Sequence, residues 1–257
     1  MTPGQKDILT VLALANILIL CCAAPNLVYY FDIGGVQAQA QSIASTYLPT
    51  LSPPPPPTPM RPSPTPTRPR PTPTLEAGWR LFTAPKAGFA VALPAGWTGV
   101  ELDAATLDTT LQRLRQTSPG LETTLRQNGR EWTGAGVRFF GADLTLGTSI
   151  SIIVKDLPGE TPLDSVVQYN LSVLANRPEI IKPVEHWRTG LDAGEAEEFH
   201  FRAPAPKPGI PAVFTTQYLL LHDQEQTVIT LTTAPDQEKK YTSIFDKIAK
   251  SFRWIAP

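Results

Sequence analysis

Between Pro49 and Thr74 the chain carries thirteen of its 28 prolines, and this tract decides where a fold can form. It runs through Pro53-Pro54-Pro55-Pro56-Pro57 and then in Thr-Pro and Arg-Pro steps to Thr74. Proline fixes φ and removes the backbone donor, and the tract has no apolar face to bury. It therefore predicts an extended polyproline II spacer rather than a packed element. At ~3.1 Å per residue it holds the C-terminal region up to roughly 80 Å from the N-terminal one. Other readings are a ligand for a proline-recognising domain and a stalk glycosylated on its threonines. A spacer through an envelope layer is the simpler one. The folded domain is expected from Leu75 to Pro257.

Upstream, a short tail (residues 1–7) leads into an apolar run from Ile8 to Phe31, interrupted only by Thr10, Asn16, Pro25 and Asn26. A membrane-spanning helix needs about 20 such residues. Tyr29, Tyr30 and Phe31 close the run, where aromatic rings favour the membrane interface. Residues 8–31 are thus expected to form a single-pass transmembrane or signal-anchor helix. That places the C-terminal domain outside the cytoplasm, at the cell membrane. Two alternatives stay open. Ala38-Gln39-Ala40 has the form of a signal-peptide cleavage site, giving a secreted protein. Cys21 or Cys22 could carry a lipid, although Leu18-Ile19-Leu20 lacks the small residue expected before a lipidated cysteine. Residues 32–74 complete the stalk and Pro/Thr-rich linker.

No cysteine follows Cys22, so the folded region has no disulfide, thiolate metal site or cysteine nucleophile. Formal net charge is −1. Four of the 22 basic and two of the 23 acidic residues precede Leu75, which leaves the folded region near −3. No basic field draws it to nucleic acid.

Within the folded region, Gly88-Phe89-Ala90-Val91-Ala92-Leu93-Pro94-Ala95-Gly96-Trp97 reads as strand, tight turn, strand. Phe89, Val91 and Leu93 alternate with alanines at the period of a half-buried strand. Trp79–Phe82 and Trp97–Leu102 are neighbouring strands. Leu107, Leu111 and Leu114 lie at helical spacing in Asp103–Gln116. Ser118-Pro119 opens a second helix, expected to end at Asn128-Gly129. Val137–Phe140 and Ser149–Val154 read as strands. Thr161-Pro162-Leu163-Asp164 caps a helix carrying Leu163, Val166, Val167, Leu171 and Leu174. Four strands come next: Ile180–Trp187, Ala193–Arg202, Val213–His222 and Thr227–Thr233, the last two a hairpin. Thr233-Ala234-Pro235-Asp236 opens a terminal helix with Tyr241, Ile244, Phe245, Ile248, Ala249 and Phe252 on one stripe. The sum is an α+β domain, a mainly antiparallel sheet with helices packed on it.

This element order, with Gly88–Trp97 at one end and Ile229–Ala234 leading into Ile244–Phe252 at the other, resembles the PsbP/Mog1-like family of α/β sandwich domains. Between its two ends the match is one of element order alone. The resemblance implies a non-catalytic binding or assembly module and carries over no catalytic residue and no cofactor. Membrane segment and proline stalk lie outside the shared fold.

The chemistry-bearing residues are few. Glu198, His200 and Arg202 share one strand face and could hold a metal or act as an acid–base set. An exposed cross-strand charge ladder accounts for them more simply. His186 and His222 read as surface residues near strand ends. Asp192, Glu195, Glu197 and Glu198 read as a solvated hairpin edge, with weak cation binding as the alternative. The five tryptophans read as core or rim packing. Asn170-Leu171-Ser172 is a formal glycosylation sequon within a helix, and is discounted. No phosphate loop, nucleophile elbow, dinucleotide fingerprint or His-Glu-x-x-His occurs. The rigid loop bearing Pro204, Pro206, Lys207, Pro208, Ile210 and Pro211 is the expected contact surface, because a stiff loop loses little entropy on binding.

These readings combine into a membrane-tethered, extracytoplasmic, non-catalytic binding or assembly module for an envelope protein partner, with no catalytic, cofactor or metal residue. The alternative is a small-ligand or metal-binding module, or a cryptic hydrolase, using Glu198 and His200. A third reading makes the stalk the functional part and the domain purely structural.

Overall fold

A computed structural model describes residues 75–157, 159, 161–178, 180–203 and 212–255, with Lys182 as backbone only. The apolar run, the proline tract and the Pro204–Pro211 loop lie outside the described residues.

Among the described residues, ten strands and four α-helices follow one another. They are β1 (Arg80–Ala84), β2 (Phe89–Leu93), β3 (Thr98–Glu101), α1 (Leu107–Thr117), α2 (Pro119–Gly134), β4 (Val137–Asp143) and β5 (Thr148–Asp156). Then come α3 (Leu163–Ala175), β6 (Ile181–Leu191), β7 (Gly194–Ala203), β8 (Val213–His222), β9 (Glu225–Thr233), α4 (Glu238–Ser251) and β10 (Arg253–Trp254). Every strand pair is antiparallel. A seven-stranded sheet has the order β3-β4-β5-β9-β8-β7-β6, and a three-stranded one the order β1-β2-β10.

The large sheet is covered on both faces. On one, the small sheet (Phe89, Val91, Leu93) and α4 (Tyr241, Phe245, Ile248, Ala249) close a core with Ile150, Ile152, Tyr218 and Leu231. On the other, α1 and α2 pack over β4 around Trp132 and Phe140, while α3 packs over β7 and β8 around Phe199 and Leu219. Between those two clusters the same face carries a polar seam. Ser149 meets Thr232 at 2.9 Å, and Gln217 Nε2 donates to Thr230 Oγ1 at 3.1 Å.

The β2 turn forms as its residues dictate. Gly96 takes φ 89°, which only glycine adopts readily, and the Trp97 N–H reaches the Pro94 carbonyl at 3.2 Å. β2 is not half-buried, however: all five residues are fully buried. It is the central strand of the small sheet, so Ala90 and Ala92 are flanked by larger neighbours, Leu81 and Thr83 on β1 and Arg253 on β10.

Other boundaries differ for local reasons. α2 does not stop at Asn128-Gly129 but runs on to Gly134. Asn128 is buried and donates Nδ2 to the Thr124 carbonyl at 2.9 Å, inside the helix. The α-carbon of Gly129 lies so close to Leu107 that an added Cβ would stand 3.1 Å from its Cδ1, so this glycine brings α1 and α2 together. The cap position of α3 is Pro162, in extended conformation, rather than Thr161. Ahead of α4, Pro235–Gln237 forms a 3-10 turn.

Candidate functional site

The trio Glu198, His200 and Arg202 is split by the fold. Register places Glu198 opposite Trp187 and Tyr218, and His200 opposite Glu185 and Thr216. Glu198 is only 7% exposed. Its Oε1 is bonded to His200 Nε2 at 2.7 Å and accepts the Tyr218 hydroxyl at 3.1 Å. The His200 ring lies edge-on to Trp187 (4.6 Å) and Phe214 (5.4 Å). Arg202 points elsewhere, to Glu238 at 2.7 Å at the start of α4. The expected solvated ladder is thus corrected, because α4 covers this face and turns Glu198 into a buried acceptor. Burial, reinforced by the Glu198 carboxylate, pushes the Tyr218 phenol far above its usual range.

The opposite face repeats the arrangement. Glu197, 4% exposed, bonds His186 Nδ1 at 2.6 Å and Arg188 Nε at 3.1 Å. Arg188 also pairs with Asp164 in the first turn of α3. His186 is stacked on Phe199 at 5.8 Å. His186 is exposed, as a surface residue should be, but it has a carboxylate partner, and Glu197 is buried rather than part of a solvated edge. Strand pairing creates this site: His186 and Glu197 are eleven residues apart and meet through the β6–β7 register. Among the described residues, no group of three or more His, Cys, Asp or Glu side chains is placed to hold a metal ion.

Among the described residues, an open cleft of about 980 Å³ lies at one end of the sandwich. Its walls are the turn at Pro85–Gly88, the Gly134–Gly136 turn after α2, the end of β5, the β8–β9 hairpin and Trp254. Two residues, Asp223 and Gln224, make that hairpin turn, with His222 paired to Glu225 and Asp223 at φ 51°. His222 lies flat on Trp254, ring centroids 4.4 Å apart. Lys86 pairs with Asp103, and its backbone N–H donates to Glu101 Oε1 at 2.9 Å. The bond from Lys86 holds the Asp103 carboxyl below the usual range, and Arg138 adds to the effect. Sequence patterns had no means of finding this cleft, since its lining comes from six separated segments.

Trp97 and Trp132 are buried, as core packing requires, whereas Trp187 is 41% exposed at the edge strand β6. Asn170 lies in α3, its Nδ2 3.3 Å from Gln217 Oε1. The loop of Pro204, Pro206, Lys207, Pro208, Ile210 and Pro211 lies outside the described residues, as do Cys21, Cys22 and the expected anchor. Among the described residues no helix is long and apolar enough to cross a membrane.

No family model matches the sequence, and no curated protein matches it either. Among solved structures, the chain is similar to cyanobacterial PsbP (CyanoP) from Synechocystis sp. PCC 6803, at 18% identity and a TM-score of 0.46 over 70% of this chain and 94% of that one. It is similar to the Ran-binding protein Mog1p of Saccharomyces cerevisiae, at 11% identity and a TM-score of 0.42 over 69% and 95%. LpqN of Mycobacterium tuberculosis, involved in cell envelope biogenesis, matches at 16% identity and a TM-score of 0.34 over 42% and 64%. The resemblance is to PsbP/Mog1-like folds. At these identities it is a likeness of fold alone.

Proposed function

We propose that this chain is a non-catalytic binding module, held outside the cytoplasm by its apolar N-terminal run and proline stalk, that engages a protein partner. One observation carries the non-catalytic part. Both carboxylates of the pairs Glu198–His200 and Glu197–His186 are buried and engaged by residues of the fold, which tie strands or a helix together, although His186 itself is exposed. Acid–base groups engaged in this way serve the sheet rather than a substrate. The partner surface in this reading is the loop with Pro204, Pro206, Lys207, Pro208, Ile210 and Pro211. Ala203 and Val213 are paired in register, so the loop leaves from the end of the β7–β8 ladder, at the opposite end of β8 from the cleft.

The test is affinity capture from detergent-solubilised membranes with the full chain and with a chain whose Pro204–Pro211 loop is replaced by Gly-Ser. A recurrent partner retained by the first and lost by the second supports the reading. A partner captured equally by both removes the loop from it. A divalent metal that raises the melting temperature of the parent chain, and not of Glu198→Ala, replaces it with the ligand-binding alternative.

A further inference from the structure

The large sheet ends in β6, which is paired on one side only, with β7. Pro183, the four residues Glu185–Arg188, and Gly190 are exposed. In an antiparallel ladder alternate residues turn their N–H and C=O groups to the neighbour, and the rest turn them away. Among the described residues, no hydrogen bond meets the outward groups of Glu185–Leu191. Sheet edges are commonly blunted by brevity, proline or a bulge. The opposite edge, β3, has only four residues. In β6, Pro183 and the shift of register between Ile181 and Glu185 guard the first part alone. From Glu185 to Leu191 seven consecutive pairs with β7 run unbroken, which is the length of an ordinary strand. A row of amides and carbonyls at that spacing specifies its own occupant, another extended backbone.

The side chains along this edge say what kind of strand fits. On the α4 face, Trp187 is 41% exposed and stands edge-on to His200 at 4.6 Å. An indole fixed in this way offers its open side to an apolar neighbour. On the α3 face a single guanidinium, Arg188, is shared by Asp164, by Glu195 at 3.8 Å and by Glu197 at 3.1 Å. The Asp164 and Glu195 side chains stay 82% and 68% exposed, so the rim carries surplus negative charge. Glu195 is paired with Gly190, and a Cβ at Gly190 would meet nothing within 4 Å. That gap lets a long cationic side chain on a further strand cross the glycine toward Glu195. A second copy of β6 fits less well. Two antiparallel copies about a two-fold axis set same-face residues opposite one another. Centring them on Trp187 or Arg188 puts Arg188 against His186 or against its own copy, and like charges so placed repel. Centring them nearer the start of β6 runs the open stretch against Pro183 and the shifted register.

We propose that Glu185–Leu191 is a docking edge, which an extended segment of another protein joins as a further antiparallel strand. Its apolar side chain lies beside Trp187, and its arginine or lysine passes over Gly190 to Glu195. This rests on the binding-module reading, but not on the Pro204–Pro211 loop.

The probe is the peptide Thr-Arg-Val-Thr-Ile-Thr-Val, blocked at both ends. Laid antiparallel from Leu191 to Glu185, it sets its arginine opposite Gly190 and its isoleucine opposite Trp187. With the full chain in detergent, added peptide should slow hydrogen exchange at alternate amides of residues 185–191. A peptide N-methylated on the amides that face β6 should lose the effect, and one methylated on its other edge should keep it. Exchanging the peptide's arginine for glutamate should weaken binding about fivefold, and Glu195→Lys in the protein should reverse that preference. No slowing at residues 185–191, equal action of the two methylated forms, or a preference for arginine that survives Glu195→Lys overturns the proposal. So does slowing that appears without peptide and grows with protein concentration, since the occupant is then a second copy. Capture through the loop is read separately, so either result stands without the other.

Discussion

Glu197 and Glu198 are consecutive on β7, yet their carboxylates lie on opposite faces of the large sheet and each is bonded to a histidine, His186 at 2.6 Å and His200 at 2.7 Å. Strand alternation alone separates them, and the two faces are covered by α3 and α4. Polar groups buried in this way become structural, because a partner left alone loses its bond and regains no water.

Glu198→Ala strips both the Tyr218 hydroxyl and the His200 ring of an acceptor. It should lower unfolding free energy by about 1–3 kcal/mol, with Glu198→Gln losing less. Urea titration followed by tryptophan fluorescence measures both.

Alkaline pH should unfold the domain through its buried phenols. Tyr218 and Tyr241 are both raised, burial being the leading cause in each. In the unfolded chain tyrosine loses its proton near pH 10, so above that value the unfolded state holds fewer protons than the folded one. Stability is whole below about pH 10 and falls as pH rises beyond it. Tyr218→Phe should flatten the fall, as read from urea midpoints across pH 9–12. An unchanged slope would place the linkage elsewhere.

Gly99 is where the small sheet presses on the large one. A Cβ there would stand 2.5 Å from Phe139 Cζ and 3.1 Å from Phe82 Cδ1. Gly99→Ala should cost about 1–3 kcal/mol by overpacking, whereas Gly190→Ala, with open space around it, should cost far less. Thermal melts of the pair give the comparison.

Phe252 follows α4 and is fully buried, 5.2 Å from the ring of Phe89 and 5.0 Å from Trp254. Phe252→Ala should remove about 3–5 kcal/mol. Hydrogen exchange should show β10 and β2 opening together, because Arg253 and Trp254 pair with Ala90 and Phe89.

The elements with the strongest local patterns were legible in the sequence. The α4 stripe of Tyr241, Phe245, Ile248 and Ala249 is the buried face of the helix, and Phe89–Leu93 and Val213–His222 are strands with the bounds read from their residues. What stayed hidden depends on register. Nothing in the spacing of His186 and Glu197 announces a bond, and Glu198 looked solvent-facing because α4, which covers it, comes forty residues later. The two-residue β10 is too short to carry a period. The polar seam of Ser149, Thr230, Thr232 and Gln217 reads locally as ordinary strand alternation; only the antiparallel pairing brings those hydroxyls together.

The pairing of β1 with β2 also sets how the domain would carry load. The chain enters at Leu75, and β1 runs from Arg80 toward the cleft, matched to β2 through five consecutive pairs. A pull applied at Leu75 and opposed at the other end of the domain acts along the axis of β1. The ladder's bonds lie perpendicular to the strands, so they share that tension side by side instead of parting one after another. Lys247 on α4 adds a clasp to Glu76 at 2.9 Å just ahead of the strand. The first strand thus doubles as a mechanical coupling for any load that enters at Leu75.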